Sequence, residues 1–333
     1  MPTGPEPPPV LFINGLHRSG TTLTAAAVTE ATGGVTTTAG YLAQHIPSLA
    51  DFLAAAPASG ATRGVDRLAV TPDTAEEYGF LLRRFTGHNS LYADPAGVGV
   101  LRQAIRELGA PGTTVVLKNP FDLGHEKRLL TDFPQARILL IRRRLGDVQG
   151  STRQALARIL RTPSGYTQAL GADGIRPGRL ARILSPGPVG RLLRALINGW
   201  MYVRVLRLIR GVRGLPPDRI ALVCYDELRA DATAGAAWAA HLLDREALAD
   251  AFTRRAFAQR GPAYSGSRLA RWLDRRWERA WAAARDAQIR AGVLPVPPPA
   301  GASGGTGMIS GGQRSAGPAT PPESRVSGPA PER

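Results

Sequence analysis

Pro9-Val10-Leu11-Phe12-Ile13-Asn14-Gly15-Leu16-His17-Arg18-Ser19-Gly20-Thr21-Thr22-Leu23 decides how the whole chain is read. Val10 to Ile13 is an apolar run without a polar break, the pattern of a strand buried on both faces of a parallel sheet. Gly15 and Gly20 bracket a tight turn, and the Thr21 to Val28 stretch that follows has the composition of a helix start. A strand, a glycine-bracketed loop and a helix N-terminus make an anion cradle, because unpaired backbone N–H groups and the positive end of the helix dipole converge on one spot. Glycine turns between strands and helices are common in themselves. The combination with Arg18, Ser19, Thr21 and Thr22 is what points to an anion.

The spacing approaches the P-loop pattern of glycine, four residues, glycine, lysine and Ser/Thr, but Thr21 stands at the lysine position. The strong cation inside the loop is Arg18, ahead of the second glycine. A kinase or ATPase needs the lysine on its phosphates and an acid for magnesium. Moving the cation forward suits a phosphate or phosphosulfate end held without a metal bridge.

Outward from this stretch, Thr113 to Lys118, Ala136 to Ile141 and Arg219 to Tyr225 read as further buried strands. Gly20 to Thr32, Leu123 to Phe133 and Gly146 to Leu160 read as helices between them. That alternation is the spacing of βαβ crossovers, so the expected fold is α/β, a three-layer P-loop NTPase-like arrangement with a central parallel sheet. Ile46 to Leu53, Thr71 to Arg84 and Gly97 to Leu108 are expected helices, the last with Val98, Leu101, Ile105 and Leu108 on one face. Further on, Asp231 to Leu243, Arg245 to Arg255 and Ser267 to Ala291 read as helices, and Trp272, Trp277 and Trp281 of the last suit packing better than nucleic-acid stacking. The expected domain spans 10–293, with a flexible stretch at 1–9, a loop or lid excursion at 165–187 and a disordered Pro/Gly/Ser-rich tail at 294–333.

The formal net charge is +16 in 333 residues, carried almost wholly by arginine, since Lys118 and Lys127 are the only lysines. Arginine forks suit phosphate and sulfate oxyanions, but GC-rich coding also inflates arginine, so only placed arginines count. Cys224 is the sole cysteine, which excludes an intrachain disulfide and a cysteine metal site. No secretory leader or membrane-length apolar run is evident, so a cytoplasmic location is expected. Val189 to Arg213 carries arginines at six positions among apolar residues. This is the stretch of a packed helix with a solvated basic face, or of one that touches a membrane peripherally.

A second anion site is expected at the end of the third strand, in Arg143-Arg144-Leu145-Gly146-Asp147-Val148-Gln149-Gly150-Ser151. Arg143 would stand at the carboxyl edge of the sheet, where open parallel sheets bind ligands, and Ser151 two turns into the next helix. With this pair in place the chain resembles the sulfotransferases that use 3′-phosphoadenylyl sulfate (PAPS). The Gly15–Leu23 segment is similar to that family's 5′-phosphosulfate loop, and Arg143 with Ser151 is similar to its 3′-phosphate motif. Lys118-Asn119-Pro120-Phe121-Asp122-Leu123, with Phe133 to Arg143, is most similar to the protein-tyrosine-sulfotransferase branch and its bacterial relatives. Val223-Cys224-Tyr225-Asp226-Glu227-Leu228 is similar to a segment that follows in many members. The likeness runs from about residue 10 to residue 255.

The resemblance implies roles. Arg18, Ser19, Gly20, Thr21, Thr22 and Leu23 would hold the phosphosulfate, Arg143 and Ser151 the 3′-phosphate, and Lys118 would face the transferred group, with no metal. It also exposes a gap. The cytosolic enzymes carry a histidine two residues after the strand lysine, where this chain has Pro120. The tyrosine branch carries a glutamate after the first helix, where Val35 to Tyr41 has no acid. The candidates for a base are His45, Asp66, Glu77, Asp122 and His125, with His45 favoured by position, whereas His17 is a ligand-shell residue. The expected activity is sulfuryl transfer from PAPS to a hydroxyl, or an amine, of a small-molecule or peptidyl acceptor. The alternatives are a P-loop small-molecule kinase, a basic module binding nucleic acid or anionic membrane, and a sulfotransferase relative that binds nucleotide without turnover.

Overall fold

The computed structural model describes residues 8–55, 62–63, 69–161, 165–170, 187–255 and 267–294. Nearly all of the segments expected to be flexible at the two ends, and most of the 165–187 excursion, lie outside the described residues; where that excursion is described, Gly165–Ala169 is a helix instead of a loop. Five strands, β1 (Val10–Gly15), β2 (Val35–Thr36), β3 (Val115–Lys118), β4 (Arg137–Arg142) and β5 (Ile220–Cys224), form one sheet in the order β2-β3-β1-β4-β5. Every pairing is parallel, with Ile13 opposite Lys118 on one side and opposite Leu139 on the other.

The unbroken apolar runs follow from burial on both faces. Val10, Phe12, Val115, Leu117, Ile138, Leu140, Ile220 and Leu222 enter one core, while Leu11, Ile13, Val116, Leu139, Ile141, Ala221 and Val223 enter the other. This alternation makes the fold the three-layer α/β arrangement expected of the sequence. The second core is covered by α1 (Thr21–Thr32) and by helices beyond β5. The first is covered by α4 (Tyr78–Thr86), α5 (Gly97–Leu108), α6 (Glu126–Asp132), α7 (Leu145–Arg161), the long α9 (Pro188–Gly211) and α13 (Arg268–Arg290). A third apolar cluster joins α2 (Ala39–Ala43), α3 (Pro47–Ala55) and α8 (Gly165–Ala169) through Tyr41, Leu42, Leu49 and Tyr166.

The helix boundaries show which local signals held. Gly33 ends α1 in the left-handed region at φ 57°, and Gly34 N–H returns to the Thr29 carbonyl at 3.0 Å, the stop expected from the Gly33-Gly34 pair. Ser267 caps α13 by accepting from Ala270 N–H, and Trp277 and Trp281 pack edge to face inside the core, whereas Trp272 is 40% exposed.

Three helices differ from expectation. Thr71 to Glu77 is a turn, because the Thr74 hydroxyl takes the Thr71 N–H at 2.8 Å and the next residues pair with 37–39 instead. Leu123 to His125 is outside α6, because Gly124 sits at φ 90° after a 3-10 turn at Pro120–Asp122. The expected helix over Asp231 to Leu243 is α11 (Ala232–Ala236) and a 3-10 turn at Ala237–Ala239, after which Leu242 and Leu243 turn into the core. Between β5 and α11 lies α10 (Tyr225–Ala230), and α12 (Arg245–Arg255) follows.

Candidate active site

The loop between β1 and α1 closes with Ser19 N–H on the Leu16 carbonyl at 3.1 Å and the Ser19 hydroxyl on the same oxygen at 2.6 Å. Two residues carry left-handed backbone to make the turn: Gly20 at φ 95° and Arg18 at φ 68°, the latter the only non-glycine with positive φ among the described residues. Such a conformation costs a non-glycine about 1–3 kcal/mol and persists where the surroundings over-determine it. A Cβ on Gly20 would lie 2.3 Å from the Tyr225 ring, so this glycine is required by packing as well as by dihedral. No side chain caps α1, which leaves its first N–H groups facing the loop.

The two expected anion sites meet. Arg18 Nε donates to the Ser151 hydroxyl at 3.1 Å, and Arg143 Nη1 donates to the Arg18 carbonyl at 2.9 Å. Arg143 lies over the Tyr225 ring at 5.0 Å, and its Nε is buried without a hydrogen-bond partner. Both motifs stand at the carboxyl ends of β1 and β4, which are neighbours in the sheet. The helix carrying Ser151 is anchored by Asp274 of α13, which accepts from Leu145 N–H at 2.9 Å.

Lys118 ends β3 on the other side of the loop and is fully buried. Its Nζ donates to the Thr22 hydroxyl at 3.0 Å and to Glu77 Oε1 at 3.3 Å. A buried ammonium needs such partners, because an uncompensated charge is expensive to desolvate. Glu77 reaches it because the chain before α4 is extended. Glu76 N–H donates to the Thr37 carbonyl at 2.8 Å, and successive side chains then point opposite ways. Glu76 turns to the Tyr166 hydroxyl at 2.6 Å and Glu77 to Lys118. Burial pushes the Glu77 carboxyl up, but Lys118, His17 and Arg63 together hold it below the ordinary carboxylate value. His17 packs edge to face on Phe121 at 4.6 Å, and its Nε2 is buried without a hydrogen-bond partner. Burial holds its imidazole below the ordinary value, against the pull of Glu77 and with the push of Lys118, Arg204 and Arg18.

The remaining candidates for a base are placed differently. His45, favoured by sequence position, packs on Tyr41 and Phe85, lies 3.8 Å from Glu107 and accepts from Arg84 through its backbone carbonyl. None of these partners belongs to the loop or to β3. Asp122 is a structural acceptor, taking the Tyr78 and Ser90 hydroxyls and Asn119 Nδ2 at 2.7 Å each and Leu91 N–H at 2.9 Å. Burial outweighs those donors and leaves its carboxyl above the ordinary value. His125 precedes α6 and stacks near Tyr92 at 5.2 Å, and Asp66 lies outside the described residues. Among the described residues there is no group of three side chains suited to a metal, and no helix is long and apolar enough to cross a membrane.

Sequence reasoning named Glu77 only as one acid among several. Its extended approach to Lys118 depends on pairing between 37–39 and 74–76, which no local pattern announces. The Val189–Arg213 helix also differs from a simple basic face. Arg204 is drawn inward onto the carbonyls of Pro120 and Phe121, and the N-terminal half of α9 exposes apolar side chains instead.

A five-stranded parallel sheet carries at its carboxyl edge an uncapped helix N-terminus, two converging arginines and a buried lysine, an arrangement whose charge and exposed amides suit a multiply charged anion. The model of the Sulfotransferase family matches residues 9–245, and the chain belongs to that family. Among solved structures, sulfotransferase STF9 from Mycobacterium avium matches with a TM-score of 0.52 and 16% identity, over 85% of this chain and 77% of that one. Sulfotransferase STF1 from Mycobacterium tuberculosis H37Rv matches with a TM-score of 0.46 and 16% identity, over 82% and 77%. The STF9 likeness concerns the fold alone. A search of the curated proteins finds no match.

Proposed function

We propose that the protein transfers a sulfuryl group from PAPS to an acceptor hydroxyl. The observation that carries this reading is the junction of the two anion motifs, Arg18 on Ser151 and Arg143 on Arg18, beside a buried Lys118. The residues fit the donor. The N-terminal amides of α1 with Arg18, Ser19, Gly20, Thr21, Thr22 and Leu23 suit a 5′-phosphosulfate, while Arg143, with its unpartnered Nε, and Ser151 suit a 3′-phosphate. PAPS supplies an activated sulfur bonded to a good leaving group, so the protein is left to orient and to neutralise charge.

Glu77 takes the acceptor's proton, and the acceptor oxygen forms the new bond to sulfur. As the old S–O bond breaks, its electron pair stays on the departing phosphate oxygen, where Lys118 and Arg18 meet the charge. Glu77 replaces His45 in the role of base because it is the carboxylate that touches Lys118. A kinase reading lacks support, since Thr21 stands at the lysine position and the Asn119 side chain after β3 is committed to Asn89 and Asp122.

The test is calorimetric titration with adenosine 3′,5′-bisphosphate, with ATP-magnesium as control. Micromolar-range binding is expected, weakened by about 2–3 kcal/mol in Arg143→Ala, with ATP-magnesium ignored. Preference for ATP-magnesium, or no binding, overturns the reading.

A further inference from the structure

Resting on the sulfotransferase reading, we propose that the acceptor is an alcohol or phenol carried on an apolar body, seated in a cleft between α7 and α9 that the nucleotide site does not use. The cleft has a volume of about 180 Å³, and its wall is built from Leu16, Val148, Leu156, Ile197, Trp200 and Met201. His17 lines it as well. That side chain belongs to the loop of the anion cradle and feels the charges of Glu77, Lys118 and Arg18. Leu16 and His17 thus belong both to the lining of the cleft and to the loop of the anion cradle, so an acceptor body in the cleft lies beside that loop.

The polar groups of the cleft argue for an apolar occupant. A sugar needs several converging hydrogen-bond partners; of the polar groups on the wall, which also include Asn198, Arg153 and Arg194, Gln149 Nε2 is committed to the Tyr202 hydroxyl at 2.6 Å and the Thr152 hydroxyl to the Val148 carbonyl at 2.8 Å. A cationic amine is opposed by Arg153 and Arg194, and among the described residues no carboxylate lines the cleft.

The apolar surface also continues outward. Ile197 and Trp200 are 40% and 47% exposed, and they lead into Val189, Leu192, Leu196 and Val203, exposed by 57%, 61%, 61% and 47%. These positions recur at three- and four-residue steps, so they form one stripe along α9. Contiguous exposed apolar surface of this kind marks a binding site rather than a solvated face. The transfer itself is unchanged: the alcohol oxygen bonds to sulfur, its proton passes to Glu77, and adenosine 3′,5′-bisphosphate leaves with the electron pair of the broken S–O bond.

The experiment uses the full chain, labelled PAPS, a series of n-alkanols from butanol to decanol, and glucose as a polar comparison. The expected kcat/KM rises about two- to fourfold per methylene until the cleft is filled, and then levels off. In Trp200→Ser and Leu156→Gln the slope flattens while affinity for adenosine 3′,5′-bisphosphate is unchanged. A second arm presents the long-chain alcohol in phosphatidylcholine vesicles. Higher rates from vesicles identify a bilayer as the source and the α9 stripe as the contact, and higher rates from free alcohol identify a dissolved acceptor.

Saturable binding of the neutral fluorophore N-phenyl-1-naphthylamine, lost in the two variants, supports the cleft even where no alkanol is turned over. Binding of the bisphosphate together with a flat alkanol series and no fluorophore binding overturns this inference alone. Failure to bind the bisphosphate overturns the sulfotransferase reading beneath it.

Discussion

Replacing Glu77 by glutamine tests the assignment on which the chemistry turns. In the folded protein Glu77 Oε1 lies 3.3 Å from Lys118 Nζ, and Lys118 has no exposed surface. The amide keeps an oxygen for the ammonium but loses both the charge and the ability to accept the acceptor's proton. Losing a charge-assisted hydrogen bond to a buried cation costs about 1–3 kcal/mol of stability, because Thr22 and the retained oxygen still partner Lys118. Losing a general base costs about 10²–10⁴-fold in kcat. The two effects separate in an assay that pairs initial rates with a urea titration and with bisphosphate affinity. The expected Glu77→Gln protein folds, binds the bisphosphate as the parent does, and turns over at least about a hundredfold more slowly.

The pH profile adds a second reading. Lys118, His17 and Arg63 hold the Glu77 carboxyl below its ordinary value against the burial that pushes it up. The base form is therefore present throughout neutral pH, and kcat/KM should be flat there and fall only below the ordinary glutamate value of about 4.3, as the carboxyl protonates. A histidine base would instead give an inflection near about pH 6.5. By the same sign, the ion pair's contribution to stability is complete above the unfolded carboxyl's pKa of about 4.3 and disappears as pH falls through the lower folded value. A Glu77→Gln enzyme within fivefold of the parent kcat, or an inflection near neutrality that survives the substitution, would refute the role of base and leave Glu77 as a counter-ion only.

Other substitutions probe the frame of the site. Gly20→Ala places a Cβ 2.3 Å from the Tyr225 ring at φ 95°, and should cost about 2–4 kcal/mol in chemical denaturation. Adding Tyr225→Ala should restore the steric part but not the backbone strain, so full recovery or no recovery contradicts the stated causes. Asp122→Ala leaves the Tyr78 and Ser90 hydroxyls, Leu91 N–H and Asn119 without their acceptor, and should cost about 3–5 kcal/mol in urea unfolding while the kcat of the folded fraction is kept. Ser151→Ala removes the hydroxyl that takes Arg18 Nε, and should weaken bisphosphate binding by about 1 kcal/mol in calorimetry, less than Arg143→Ala.

Much of this architecture was legible because its signals are local. A parallel sheet covered on both faces demands unbroken apolar strands, and β1, β3, β4 and β5 all carry them, so the fold class followed from Val10–Ile13, Val115–Leu117, Ile138–Ile141 and Ile220–Val223, whereas the order of the strands did not. The glycine-bracketed loop and the Arg143–Ser151 spacing were equally visible. β2 was not, because two residues, Val35 and Thr36, form an edge strand too short for any period. Nor was the turn at Thr71–Glu77, where the helix-like composition yields to pairing with a segment almost forty residues earlier. His45 was preferred over Glu77 by distance along the chain, and it is the fold, through that pairing, that brings Glu77 to the lysine. The cleft between α7 and α9 was likewise hidden, since Leu156 and Trp200 read only as parts of two separate helices.

The positioning of the cations explains why a chain so rich in arginine places a single buried lysine at the centre of its site. Arg18 is fixed from both ends, its guanidinium by Ser151 and its carbonyl by Arg143, and it sits in a backbone conformation that glycine would adopt more cheaply. Arginine suits that position because its planar fork meets two oxygens of one phosphate or sulfate at once. In the proposed transfer Lys118 has a different task. It stands between Thr22 and Glu77 in a space without solvent, and a compact point charge on a flexible stem can follow charge from carboxylate to leaving oxygen as the bond breaks. Lys118→Arg tests this division of labour. The larger planar group does not fit a fully buried position without displacing Glu77, so bisphosphate affinity should be kept within about threefold while kcat falls about a hundredfold or more. Equal losses in affinity and kcat would show instead that Lys118 holds the nucleotide and that charge on the leaving oxygen is met by Arg18 alone.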